Sequence, residues 1–320
     1  MTIIDVRGLT RSFRAGKRSV AAVRGIDLAV EAGEIVGFLG PNGAGKTTTM
    51  RMLTTLLRPD AGTARIAGAD LLADPAGVRR RIGYVAQSGG TEQACRVTEE
   101  LECQAEFYRL GRATGRHRAR LLAEQLELGE LGPRTIGTLS GGQRRRLDLA
   151  LGMVHAPAVL FLDEPTTGLD PHSRANLWSH IRGLRAKFGT TIFLTTHYLE
   201  EADALSDRIL VIDEGRIVAE DTTEALKRRV SADVITVEVG EDASRARAVL
   251  EALPRVREVT MPAPRTLRLA VEHGDRAVAD VVLALQAIGV AIEAIRVARA
   301  SLEDVFLQLT RHDAVPAGRN

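Results

Sequence analysis

The 320-residue chain contains only two cysteines, Cys95 and Cys103, and neither has metal-ligand companions at useful spacing. A disulfide-stapled fold and a cysteine-held metal are therefore not expected, and a reduced, intracellular setting is. Aromatic residues amount to 3%, so stacking platforms for single-stranded nucleic acid are scarce. An excess of one charge sign is missing too. Forty-three basic residues against 41 acidic ones leave a formal charge of +2, too little for a protein built around a polyanion. Long apolar runs are also lacking. The best candidate, AVADVVLALQAIGVAIEAI (277–295), is interrupted by Asp280, Gln286, Gly289 and Glu293. Its spacing changes near Gly289, as in a helix followed by a strand rather than a membrane span. The opening MTIIDVRGLTRSF has no apolar leader core. These absences predict a soluble cytoplasmic chain that reaches a membrane only through a partner.

What is present is globular: 45% hydrophobic and 26% charged residues, in a length that suits one large domain and one smaller. Up to about Gly37, short alternating segments punctuated by glycine read as strands and turns. A helical pattern covers Thr48–Leu57 and stops at Pro59, and residues 98–150 read as mostly helical. The continuous apolar run AVLFLDEP reads as a strand buried on both faces. It is followed by helix, strand, helix and strand through RILVIDEG, an alternation that implies a parallel sheet with helices on its faces. Composition shifts near Val230. From there the order is β-α-β-β-α-β-α, predicting a small ferredoxin-like unit with an added helix. The segment AVPAGRN reads as a frayed tail.

The strongest chemical signal is GPNGAGKT, Gly40 to Thr47. It follows an apolar strand and opens a helix, the context that makes G-x-x-x-x-G-K-[ST] a phosphate loop. Its glycines allow successive backbone N–H groups to curl around a phosphate. Lys46 is placed to reach the terminal phosphates, and Thr47 supplies a hydroxyl for Mg²⁺. In VLFLDEP, Asp163 ends a buried strand where a carboxylate can hold Mg²⁺, and Glu164 follows where a base can polarise the attacking water. His197 ends the strand TTIFLTTH, at the carboxyl edge where parallel sheets bind ligands. In LSGGQRRRLDLAL (139–151), Ser140 and Gln143 fit a capping box. Three arginines after it work against the helix macrodipole and ordinarily mark a solvated face.

GPNGAGKT, YVAQ, LSGGQ, VLFLDEP, TTGLD and TTH, in this order, resemble the nucleotide-binding subunit of an ABC transporter over roughly residues 3–225. The resemblance implies a P-loop ABC-type α/β core with a parallel sheet, an antiparallel β subdomain and a helical subdomain near 88–155. The expected domain limits are 1–228 for the ATPase, 229–312 for the ferredoxin-like accessory domain and 313–320 for the tail. It further implies ATP and Mg²⁺ as ligands. Nucleotide contacts are expected from Gly40, Pro41, Asn42, Gly43, Ala44, Gly45, Lys46, Thr47 and Thr48. Phe13 is expected to stack on adenine. Metal contacts are expected from Thr47, Gln87 and Asp163, and catalysis from Lys46, Glu164 and His197. Ser140, Gly141, Gly142 and Gln143 are expected to cap the nucleotide of a second copy in a head-to-tail dimer, with Asp170 communicating across it. The arginine turn would lie behind that signature.

SLEDVFLQLT (301–310), with RRRLDLA and TTHYLEEADALSDRI, resembles the daunorubicin-resistance type within that family. That subtype implies an ATPase powering drug export through a separate integral membrane permease, at the cytoplasmic face of the membrane, with no nucleic-acid partner. Two other readings stay open: a non-transport ABC ATPase clamping nucleic acid or ribosomes, and a regulatory ATP sensor.

Overall fold

The computed structural model describes residues 1–16, 18–230, 233–240, 243–271, 274–298 and 302–310. The chain divides into two compact units, Met1–Thr223 and Glu224–Asn320. The tail expected at 313–320 lies outside the described residues.

The first unit opens with two long antiparallel strands, β1 (Thr2–Ala15) and β2 (Arg18–Glu31), bent by register shifts. β3 (Ile35–Leu39) leads through the glycine loop into α1 (Lys46–Leu53). Next come β4 (Ala61–Ile66), β5 (Ala69–Asp70), α2 (Pro75–Arg81) and β6 (Ile82–Val85). The helical stretch is α3 (Val97–Phe107), α4 (Arg112–Gln125) and α5 (Gly141–Met153). The chain then alternates regularly through β7 (Val159–Asp163), α6 (Pro171–Phe188), β8 (Thr191–Thr196), α7 (Leu199–Leu205) and β9 (Arg208–Asp213). β10 (Arg216–Asp221) is its last strand.

Two sheets result. A four-stranded antiparallel sheet has the order β2-β1-β4-β5, and a six-stranded sheet has the order β10-β9-β3-β8-β7-β6. In the latter every pair is parallel except β10 with β9. Strands β3, β7 and β8 are buried along their whole length. Alternation sends their side chains to two separate cores. Phe38, Phe161 and Phe193 pack with Ile4, Val30 and Met50 on one face. Leu160, Leu162, Ile192 and Leu194 meet Leu147, Leu177, Ile181 and Leu184 on the other. Burying a side chain of this size stabilises by about 1.5–3 kcal/mol, so both faces are strongly specified.

α1 is shorter than the sequence pattern predicts and starts earlier, at Lys46 rather than Thr48. It ends at Leu53 because Thr55 turns left-handed (φ 64°). The amides of Leu56 and Leu57 both return to the Arg51 carbonyl, at 2.8 and 2.9 Å. Leu56 is consequently exposed rather than packed in a helical stripe.

α8 (Thr223–Val230) straddles the division between the units. The second unit then runs β11 (Asp233–Val239), α9 (Ala243–Glu251), β12 (Val256–Ala263), β13 (Thr266–Val271), α10 (Gly274–Ala287), β14 (Ile292–Ala298) and α11 (Leu302–Thr310). Its antiparallel sheet has the order β12-β13-β11-β14, the split β-α-β arrangement of a ferredoxin-like unit. Ile235, Val237 and Val239 alternate toward a core shared with Leu250, Val281 and Leu285 of α9 and α10. The division at Thr223/Glu224 lies five residues before the limit expected from sequence.

Candidate nucleotide site

The site forms at the carboxyl edge of β3, β8 and β7, where β8 lies between the other two. Gly40 must be glycine, because a Cβ there would meet the Ile212 carbonyl oxygen at 2.3 Å. Gly45 combines φ 107° with a Cβ position 2.5 Å from the Ala22 carbonyl oxygen. The loop is thus pressed onto β2 and β9 while its inner side stays open. Behind it is a cleft of about 420 Å³, lined by Ala22, Asn42, Gly43, Gly45, Lys46, Thr47, Thr48, Gln87, Glu164, Thr167 and His197.

Lys46 is 4% exposed, and its ammonium donates to the carbonyls of Gly40 (2.8 Å) and Pro41 (3.1 Å). Its Nζ lies 3.6 Å from Glu164 Oε1. Burial lowers the lysine pKa, and the Glu164 charge opposes that shift. The Thr47 hydroxyl is 3.4 Å from Asp163 Oδ1. Glu164 gathers several groups at once. Gln87 Nε2 donates to its Oε2 at 3.0 Å, as does the Thr167 hydroxyl at 3.2 Å. His197 Nδ1 lies 3.2 Å from the same oxygen, an approach without hydrogen-bond alignment. Glu164 also occupies φ 45°, the left-handed region that a residue with a Cβ seldom adopts.

The cleft therefore brings together Lys46, Thr47, Gln87, Glu164 and His197, while Asp163 is buried beside Thr47 and outside the lining. It does not include Phe13 or the segment Ser140–Gln143. Phe13 is 42% exposed on β1, with the Arg11 guanidinium 5.2 Å from its ring centre. Ser140 caps α5 by accepting from the Gln143 amide (3.3 Å), while Gln143 Oε1 accepts from the Ser140 amide (3.0 Å). Ser140 and Gly141 are exposed. Gly142 fits close to α6, where an added Cβ would sit 3.2 Å from Ser173 Oγ. Asp170 caps α6 and accepts from the Ser173 hydroxyl (2.6 Å) and amide (2.9 Å), bonds that lower its carboxyl pKa. Among the described residues there is no cluster of three or more histidine, cysteine or carboxylate side chains able to hold a metal.

The arginine triplet corrects the sequence reading of a solvated turn. Arg145 is buried and reaches inward, donating to the carbonyls of Pro165 and Ala86, both at 2.6 Å, and of Asp163 at 3.2 Å. Arg146 pairs with Glu127 at 2.6 Å. Three other residues of the site were not predicted as such. Ala22 has no sequence signal. Thr167 stands inside TTGLD, and Thr195 inside TTIFLTTH, where nothing local distinguishes either threonine from the one beside it.

Loop, strand-end carboxylates and cleft together make a phosphate-handling site of the P-loop kind. Residues 23–167 match the family model described as ABC transporter. Residues 222–310 match the model for the ATP-binding protein DrrA1-3-like, C-terminal domain. The daunorubicin resistance ATP-binding protein DrrA2 of Streptomyces coeruleorubidus is 48% identical over 310 residues, covering 96% of this chain and 95% of that protein. The daunorubicin/doxorubicin resistance ATP-binding protein DrrA of Streptomyces peucetius is 42% identical, covering 97% and 93%. The Nod factor export ATP-binding protein I of Burkholderia orbicola (strain AU 1054) is 38% identical, covering 96% of each. Among solved structures, the ADP conformation of an ATP-binding cassette of an ABC transporter is similar at TM-score 0.64 and 26% identity, over 72% of this chain and 94% of that one. The chain belongs to the daunorubicin-resistance type of ABC transporter ATP-binding proteins, and is the ATPase subunit of an ABC exporter. No helix among the described residues is long and apolar enough to cross a membrane.

Proposed function

We propose that two copies of this chain, stacked head to tail, power efflux of a drug-like or lipophilic compound through a separate integral membrane permease, at the cytoplasmic face of the membrane. The observation that carries the catalytic part is the convergence of Gln87, Thr167, His197 and Lys46 on the Glu164 carboxylate. A carboxylate with that many partners at the end of a buried strand is held in one orientation. In this reading Glu164 takes a proton from the attacking water, and Gln87 and His197 orient the reactants.

The residues present suit magnesium. Mg²⁺ favours oxygen donors and is commonly held by one or two carboxylates together with substrate phosphates and water, so a cluster of three protein ligands is not required. Thr47 and Asp163 supply a hydroxyl and a carboxylate side by side. A metal bound there would neutralise charge on the phosphates. Lys46, already desolvated and stripped of all but carbonyl and Glu164 partners, would exchange the Glu164 contact for phosphate oxygens. That exchange frees Glu164 when substrate arrives.

Exposure of Ser140 and Gly141, outside the cleft lining of their own chain, supports their acting on a second copy. The names of the two drug-resistance relatives and the Nod factor exporter support a drug-like or lipophilic cargo. The composite site is tested by concentration. Phosphate release per molecule should fall on dilution, and a Ser140→Cys copy should crosslink to an Asn42→Cys copy only when nucleotide is added. Flat specific activity together with no crosslink would overturn the dimer.

A further inference from the structure

We propose that Thr195 is a positioning residue of the ATPase site, its single hydroxyl aiming Asp163 and holding the backbone of Glu164 at the same time. The proposal rests on the reading above of Asp163 as magnesium ligand and Glu164 as base.

Thr195 is fully buried in β8. Parallel register sets it directly beside Asp163 of β7. Its hydroxyl donates to Asp163 Oδ1 at 2.6 Å, the length of a strong bond to a charged acceptor. The Thr195 hydroxyl oxygen in turn accepts from the Glu164 amide at 3.1 Å, and the Thr195 carbonyl accepts from that amide at an equal distance. One side chain therefore touches both acidic residues of the strand end, through the carboxylate of the first and the backbone of the second.

Each contact has a consequence. The Thr195 bond occupies a lone pair of Oδ1 and fixes the carboxylate plane, with the Thr47 hydroxyl 3.4 Å from the same atom. Asp163 thus presents its carboxylate in one plane beside the Thr47 hydroxyl, the pair that would hold a cation. The amide bonds hold Glu164 at φ 45°, a conformation that L residues leave when nothing constrains them. Packing alone does not require threonine here. Its neighbours Ile192, Phe193 and Leu194 are apolar and fully buried, and valine has the same branched shape. Valine would fill the volume but offer neither donor nor acceptor.

The full-length wild type, Thr195→Val, Thr195→Ala and Thr195→Ser separate these roles. Two readouts are needed: affinity for a fluorescent ATP analogue with EDTA or with Mg²⁺, and steady-state kcat and KM across a Mg²⁺ titration. All four proteins should bind the analogue alike in EDTA. Thr195→Val and Thr195→Ala should lose most of the Mg²⁺-induced gain in affinity. Their half-saturating Mg²⁺ should rise about tenfold, the usual scale for losing a hydrogen bond to a metal ligand. Their kcat should fall while KM for ATP holds, and Thr195→Ser should restore both. The proposal is overturned if Thr195→Val or Thr195→Ala responds to Mg²⁺ as the wild type does. Equal losses in EDTA and Mg²⁺, or a Thr195→Ser protein as impaired as Thr195→Val, would also overturn it. A wild type that hydrolyses ATP without Mg²⁺ would instead remove the underlying reading of the site.

Discussion

Replacing Arg145 with methionine tests how far the arginine after the signature holds the site together. Arg145 is 6% exposed, and its guanidinium donates to the carbonyls of Ala86, Asp163, Glu164 and Pro165, and to Asp148 Oδ2 at 3.5 Å. Those carbonyls belong to the two segments that carry Gln87 and Glu164, so one side chain on α5 ties both to the helix behind Ser140. Methionine preserves the length and packing of the stem but leaves the carbonyls and the Asp148 carboxylate without their cation. Breaking a buried ion pair from one side costs about 3–5 kcal/mol. Two short charge-assisted bonds at roughly 1.5–3 kcal/mol each give a similar figure. Against a typical domain stability of about 5–15 kcal/mol the loss is large but survivable. With a urea m-value of about 2.5 kcal/mol/M, a loss of about 4 kcal/mol lowers the midpoint by roughly 1.6 M. Trp178, the single tryptophan, lies in the first unit and reports its unfolding.

The deficit should also depend on pH. Burial already raises the Asp148 pKa, with Arg145 opposing that shift. A raised folded pKa contributes stability below the ordinary carboxylate range and loses it as pH rises through the folded value. Without Arg145 the folded value climbs further, so Arg145→Met should lag the wild type more at pH 8 than at pH 5. Hydrolysis should drop as well, because misplacing reacting groups by about 1 Å can cost 10²-fold. A midpoint shift worth under about 0.5 kcal/mol, the scale of an ordinary surface change, with turnover intact, would refute the clamp.

Glu164→Gln should retain ATP binding but lower phosphate release by about 10²–10⁴-fold, with dimers accumulating in gel filtration. Mixing Lys46→Ala copies with Ser140→Arg copies should recover hydrolysis through one intact composite site, whereas either variant alone stays inactive. Glu201 is fully buried and accepts from the Trp178 indole at 3.3 Å, and burial raises its pKa. Its favourable contribution is present below the ordinary glutamate range and lost as pH rises through the folded value. Glu201→Gln should therefore gain urea resistance relative to the wild type between pH 4 and pH 8.

Much of this protein was legible from local pattern. Glycine, lysine and threonine at fixed offsets between an apolar strand and a helix can do little else than curl around phosphate. The β-α-β-β-α-β order of the second unit was readable because its central strands β11 and β13 alternate with a period of 2 and its helices are amphipathic. The capping box of Ser140 and Gln143 was equally local. Residues 60–86 carried weaker signals: β5 has two residues and α2 only seven, too few for a period to stand out.

Long-range placement was a different matter. Arg145 stands in a run of three arginines whose charges look identical in sequence, and only packing of α5 against the ends of β6 and β7 turns the middle one inward. Thr195 lies 32 residues from Asp163, and parallel pairing of β7 with β8 makes them neighbours. Motif spacing determined which atoms could handle phosphate, because a loop of a few residues closes on itself. Which side chains orient those atoms was decided by the sheet, since strand register brings together residues that no local pattern connects.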